Sequence, residues 1–371
     1  MDMIEFSEEQ SMLLETAAGF CRDNSPIEKV RSTLDAETVD REQWQQMAEL
    51  GWMGINVPEE HGGLGMGIGS VVPVVESMGR QLMGSPYSAS VIVAECLVTA
   101  GSDDQKANWL PGLVAGAIGT LAVTEEDGSW KLDNPTATGS TEGDTIRLGG
   151  NKCFVTDADV SDIVIANVQI EGEARLVLIE ADQIPRENLT REVVIDQTRR
   201  SFRLDLDGIA IGQDQVLPGQ GLDTVELGSM LLLAAEMSGG QAGVLKLIVE
   251  YLNTRKAFNR YIGSYQSLKH PSADILIDLE AQRSHLYHAA TMINRADAHD
   301  REVAVRMAKA CGSEAYAYAG DRAVQFHGGF GFTFECDAQL YLRRALWCQF
   351  QFGDERYQRQ VLAPLLLSEA S

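Results

Sequence analysis

The residues best suited to ligand chemistry lie late in the chain, in Gln325-Phe326-His327-Gly328-Gly329-Phe330-Gly331 and in Phe352-Gly353-Asp354. Adjacent glycines let backbone approach a ligand closely and expose N–H groups, which suits a phosphate or a flat ring. The same residues also make an ordinary loop between helices. Arg255 opens Arg255-Lys256-Ala257-Phe258-Asn259-Arg260, and Gln266 stands eleven residues on. A guanidinium there suits a pyrophosphate, which it grips bidentately, although arginines at helix ends also satisfy carbonyls. Phe154 and Thr156 lie two apart in a strand pattern, so ring and hydroxyl share a face and can cover one side of a flat ligand; core packing is the competing reading. Glu236 is the sole acid between Leu231 and Val249. In Leu233-Ala234-Ala235-Glu236-Met237 it reads as a catalytic carboxylate, a buried hydrogen-bonded group or a solvated one.

Three blocks position these residues. Residues 1–118 read as helices, with Ser7 capping the first, a second over 38–50 and a third over 70–81. Residues 119–222 switch to period two, with strands at 145–148, 153–156, 162–168, 176–180 and 202–206, and Gly149-Gly150-Asn151 reads as a hairpin turn. Helical spacing returns over 223–371, which predicts helices at 223–258, 268–296, 301–327 and 336–348. No G-x-G-x-x-G follows a strand, which argues against a Rossmann nucleotide site.

Composition narrows the function classes. The 371 residues carry 30 basic and 54 acidic side chains, a formal charge of -24, which disfavours nucleic acid and anionic membranes as partners. Any polyanionic substrate then needs local basic residues. Cysteines at 21, 96, 153, 311, 336 and 348 lack metal or redox spacing and read as reduced thiols. With no signal-like N-terminus and no apolar run of spanning length, the expectation is a cytoplasmic protein without membrane insertion and without a metal.

The motifs in their order resemble the acyl-CoA dehydrogenase family. Gly51-Trp52-Met53-Gly54, Pro58-Glu59-Glu60 and Gly62-Gly63-Leu64-Gly65 are similar to its N-terminal signature, and Asn151-Lys152-Cys153-Phe154-Val155-Thr156-Asp157 to its middle-domain strand. Arg255 to Gln266 and Gln325 to Gly329 match its cofactor motifs. The resemblance implies an α+β fold: an N-terminal helical domain, a middle β-barrel-like domain and a C-terminal four-helix bundle. It implies FAD, held by Thr124, Phe154, Thr156, Arg255, Phe258, Gln266, Gln325, Gly328, Gly329 and Asp354. Arg255, Gln266 and the Gly-Gly turn would serve the FAD of a neighbouring subunit, in a homo- or hetero-oligomer built as a dimer of dimers. The implied reaction is α,β-dehydrogenation of an acyl-CoA, with electrons passed to an electron-transfer flavoprotein.

Departures from the family pattern fall where the chemistry should be. Leu121-Ala122-Val123-Thr124-Glu125-Glu126-Asp127-Gly128-Ser129 lacks the usual Pro, and Trp130 stands where an acid is usual. Phe352 occupies the place of the catalytic Glu, and Leu233 the alternative place of that base. The remaining candidates are Glu236, one helical turn beyond Leu233 with apolar neighbours that would raise its pKa, and Asp354. These features resemble the smaller subunits of two-subunit acyl-CoA dehydrogenases, including those for dicarboxylic or steroid side-chain esters. They leave open a non-catalytic, FAD-retaining subunit, or an oxidase of the same fold.

Overall fold

A computed structural model describes residues 8–34, 36–295 and 297–367, so the expected Ser7 cap lies outside the described residues. Helices come first: α1 (Glu8–Asn24), α2 (Ile27–Ser32), α3 (Arg41–Glu49), α4 (Val72–Arg80), α5 (Tyr87–Ala100) and α6 (Asp103–Val114). Strands β1 (Gly119–Ala122), β2 (Thr138–Glu142), β3 (Thr145–Gly149), β4 (Asn151–Thr156), β5 (Ile163–Ile170), β6 (Glu173–Glu180), β7 (Leu189–Glu192), β8 (Ser201–Asp205) and β9 (Ala210–Gly212) follow. Then come α7 (Leu222–Thr254), a small hairpin of β10 (Lys256–Ala257) and β11 (Arg260–Tyr261), α8 (Gln266–Met292), α9 (Ala298–Phe326), α10 (Ala338–Phe350) and α11 (Glu355–Leu367). Helix starts carry the side chains that satisfy orphan N–H groups: Asp40 caps α3, Asp297 caps α9, and Ser102 with Gln105 forms a capping box on α6.

Contacts group the chain into two compact units, one of residues 1–34, 72–84 and 230–371, the other of 35–71 and 85–229. The helices expected as one N-terminal block therefore divide, α1, α2 and α4 with the C-terminal bundle and α3, α5 and α6 with the strands. In the first unit the reason is visible at Glu76 on α4, whose carboxylate accepts from Ser238 of α7 and Tyr287 of α8 and faces Arg283. Such a buried polar knot is stable only when all its members are satisfied together.

In the second unit, six strands form one sheet in the order β1-β5-β2-β3-β9, with β6 on the other edge of β5, and β4-β8-β7 form a second. Alternate residues of both, including Ile146, Leu148, Val164, Val168, Val177, Ile179, Phe202, Leu204 and Ile211, close on one apolar core. The strands fall where period two places them, but Gly149-Gly150 is not a hairpin. β3 pairs with β2 and β9, whereas β4 pairs with β8 in the other sheet. Gly150 has φ +102°, and a Cβ on it would lie 3.0 Å from the Ala137 backbone, so this corner carries the chain between sheets. The hairpin is β2–β3, and β2 went unread because only Gly139 of its five residues is buried.

A second correction concerns 255–258, expected as helix. α7 stops at Thr254, and Phe258 and Asn259, with φ 51° and 62°, make a tight turn between β10 and β11. Two successive left-handed residues match the twist of a two-residue hairpin. The 33-residue α7 is long and apolar enough to cross a membrane, yet 67% of its most apolar window is buried inside the fold, as in a core helix. All six cysteines are free thiols.

Candidate functional site

The site residues fall on both units, and each group is built by its own unit. In the β unit, Glu125 anchors the segment after β1: its carboxylate accepts from Thr136 N and Oγ1, Ala137 N and Lys152 Nζ, at 2.6–2.9 Å. Lys152 is fully buried and also donates to Asn167 Oδ1 at 2.8 Å. This fixes Thr124, whose carbonyl takes the Cys153 N–H at 2.8 Å, directly beside the bulge that interrupts β4. Phe154 sits in that bulge with φ 56° and its N–H on Glu192 Oε2, and its ring is 40% exposed. A left-handed phenylalanine is a costly conformation that persists only where neighbours impose it. Val155 is buried in the core, while Thr156, two residues beyond Phe154, is half-buried. Thr124, Phe154 and Thr156 are thus brought together.

In the helical unit, the Tyr251 ring near the end of α7 stacks on His327 at the end of α9, centroids 4.0 Å apart. That contact joins the end of α7, which leads into the β10–β11 hairpin, to the end of α9, which leads into the Gly-Gly turn. Arg255, Gln266 and Gln325 have exposed side chains with no partner among the described residues. Phe258, at the hairpin tip, is 93% exposed. Gly328 and Gly329 are exposed, and a Cβ on either would meet nothing within 4 Å. The loop beyond them is tied to α2, where Arg31 donates to Asp337 Oδ1 and to the carbonyls of Phe334 and Glu335. An unpaired guanidinium and an open glycine turn fit a phosphate ester, and a half-exposed ring beside a threonine fits a flat ring system. Both halves of a dinucleotide such as FAD therefore find suitable donors in this chain.

The two candidate bases are differently placed from expectation. Glu236 lies in no purely apolar pocket: it is 5% exposed and paired at 2.5 Å with the fully buried Arg344. The guanidinium, and not only the apolar Leu233, Ala235 and Met237, forms the surroundings of this carboxylate. Asp354 Oδ1 accepts the Tyr357 N–H at 2.9 Å, the N-cap geometry of α11, a helix the periodicity did not reveal. Phe352 is buried with φ 55°. Missed altogether was Lys309 on α9, a fully buried ammonium beneath Gly353; its only sequence signal is a charge inside Val305-Arg306-Met307-Ala308-Lys309-Ala310.

This architecture is that of the acyl-CoA dehydrogenases, a class of oxidoreductases acting on acyl-CoA. Sequence models of that family match twice, its N-terminal domain over residues 7–117 and its C-terminal domain over 229–367. The acyl-CoA dehydrogenase IpdE2 of Mycobacterium tuberculosis is 30% identical over 346 residues, 91% of each chain. A chain of the ChsE4-ChsE5 complex from the same species superposes with a TM-score of 0.89 at 25% identity, covering 99% of both. Butyryl-CoA dehydrogenase of Megasphaera elsdenii shares the fold, with a TM-score of 0.89 at 23% identity over 99% of this chain and 100% of its own. The chain belongs to the acyl-CoA dehydrogenase family.

Proposed function

We propose that this chain takes part in FAD-dependent α,β-dehydrogenation of an acyl-CoA as one of two unlike subunits. It holds FAD and leaves abstraction of the α-proton to a carboxylate of the second chain. The observation that carries this reading is that every candidate carboxylate is missing or already engaged. Phe352 replaces the usual Glu, Glu236 is paired with Arg344, and Asp354 caps α11. A relative in a two-chain complex, ChsE4-ChsE5, is in keeping with it. Bound there, FAD would supply the acceptor for the β-hydrogen as hydride, with the electrons passing on to an electron-transfer flavoprotein. Thr124 and Phe154 orient the flat ring, and Arg255, Gln266, Gln325 and the Gly328-Gly329 turn hold the phosphate and nucleotide portion, in the FAD of an adjoining subunit.

The test is anaerobic addition of acyl-CoA to the purified chain carrying FAD. The flavin absorption is expected to persist until a second chain with a Glu in its glycine loop is added. Bleaching by the single chain would overturn the division of labour. For the binding residues, Arg255→Ala removes a charge-assisted contact worth roughly 1.5–3 kcal/mol. FAD is then expected to dissociate at about 10–100-fold higher concentration, read by flavin fluorescence; unchanged retention removes Arg255 from the site.

A further inference from the structure

We propose that Lys309 is the positioning residue of the Gln349–Asp354 reversal, the loop that stands where a family member presents its base. The inference rests on the proposed function only for what that loop faces. Lys309 Nζ has three donors and three acceptors: Ser313 Oγ at 2.9 Å, Gln349 O at 3.0 Å and Gly353 O at 2.8 Å. Gln349 lies in the last turn of α10, where carbonyls have lost their intrahelical partners. The ammonium thus joins the outgoing end of α10 to the loop's far side, four residues on. The carbonyl between them, Phe352 O, accepts from Gln358 Nε2, and Gln358 Oε1 is held by Arg306.

These clamps explain how the loop keeps two successive left-handed residues, Phe352 at 55° and Gly353 at 85°. Conformations of that kind persist only where their surroundings over-determine them. A methionine of similar length would fill the space and hold none of the three oxygens. The charge is also retained at a cost, because its three partners are neutral oxygens. The titratable groups that face it are Cys348 from α10, Asp354 from the loop and Glu355 from α11. Burial pulls the ammonium down to about 7, only partly offset by those groups.

Opening the loop admits water to Lys309 and returns its pKa toward 10.5, so the closed loop, in which burial holds it at about 7, is favoured as pH rises; the neutral amine keeps two donors for the two carbonyls and accepts from the Ser313 hydroxyl. Amide hydrogen exchange of the whole chain without acyl-CoA, corrected for intrinsic rates, reads this directly. Protection of 350–355 is expected to rise roughly tenfold between pH 6 and pH 8.5, while α8 keeps its protection. In Lys309→Met the same amides should exchange roughly 100-fold faster at pH 6, with the pH step gone. Equal wild-type protection at the two pH values overturns the proposal even if the variant fails to fold. So does a folded variant whose loss is spread evenly over α8 and the loop, since that marks a core residue and not a clamp. Because no substrate or partner is added, failure here leaves the proposed function untouched, and bleaching by the single chain leaves the clamp untouched.

Discussion

Glu236→Gln is expected to destabilise the helical unit by about 1.5–3 kcal/mol, because a neutral amide replaces the carboxylate that the buried Arg344 guanidinium holds at 2.5 Å. Arg344 is 0% exposed, so solvent cannot take the place of the carboxylate, and Leu82 O, at 3.4 Å, is an uncharged acceptor. The helix backbone at Glu236 has no room to shift, because a Cβ on Gly79 would already lie 2.2 Å from Glu236 O. A compensating change identifies the cause: Glu236→Gln combined with Arg344→Met removes both charges and should recover most of the loss, as buried ion pairs often exchange neutrally for apolar packing. Urea unfolding of the parent and both variants measures it. The catalytic reading predicts the reverse pattern: stability within about 1 kcal/mol of the parent and flavin reduction abolished in the assembled enzyme. That outcome would return Glu236 to the role of base and remove the need for a second chain.

Glu236 also shows where sequence reading runs out. Its isolation among apolar residues was visible, and burial follows from that isolation. Its partner lies 108 positions away on α10, where Arg343-Arg344 reads like any solvated pair of charges. Period-two and helical spacing located most strands and the long helices, because one buried face repeats along each of them. Turns were less legible: Gly149-Gly150 has hairpin composition but serves a crossing between sheets, a distinction set by which strands pair and not by the turn residues. The residues assigned to the cofactor were read from motifs whose order spans the chain, and of these Phe154, Arg255 and the Gly-Gly turn stand exposed in the structure. Lys309 was illegible for the opposite reason, since its work depends on the carbonyls of a distant loop.

Glu125 is expected to make stability depend on pH in the acid range. Burial works against its ionisation, but the hydrogen bonds from Lys152, Thr136 and Ala137 outweigh it and hold the carboxyl at about 2, from an ordinary 4.5. A carboxyl lowered in the folded state contributes stability that is fully present above the ordinary value and is lost as pH falls from there toward 2. The difference corresponds to about 3 kcal/mol, largely gone by pH 2. Glu125→Gln should lose about 3–5 kcal/mol at pH 7, because it strands a fully buried Lys152 with Asn167 Oδ1 as its remaining close acceptor. Its pH dependence should then take the other direction. Burial already lowers the Lys152 pKa, with Glu125 pulling back, so without the carboxylate the penalty of the charged amine is relieved as pH rises. The variant is therefore expected to gain stability between pH 7 and pH 10, where the parent has no corresponding gain from Glu125, and Glu125→Gln with Lys152→Met should be flat over that range. Thermal unfolding midpoints at pH 3, 5, 7 and 10 decide it. A parent midpoint unchanged between pH 5 and pH 3, or a single variant no less stable than the parent at pH 7, would show that this pair does not hold the segment that carries Thr124.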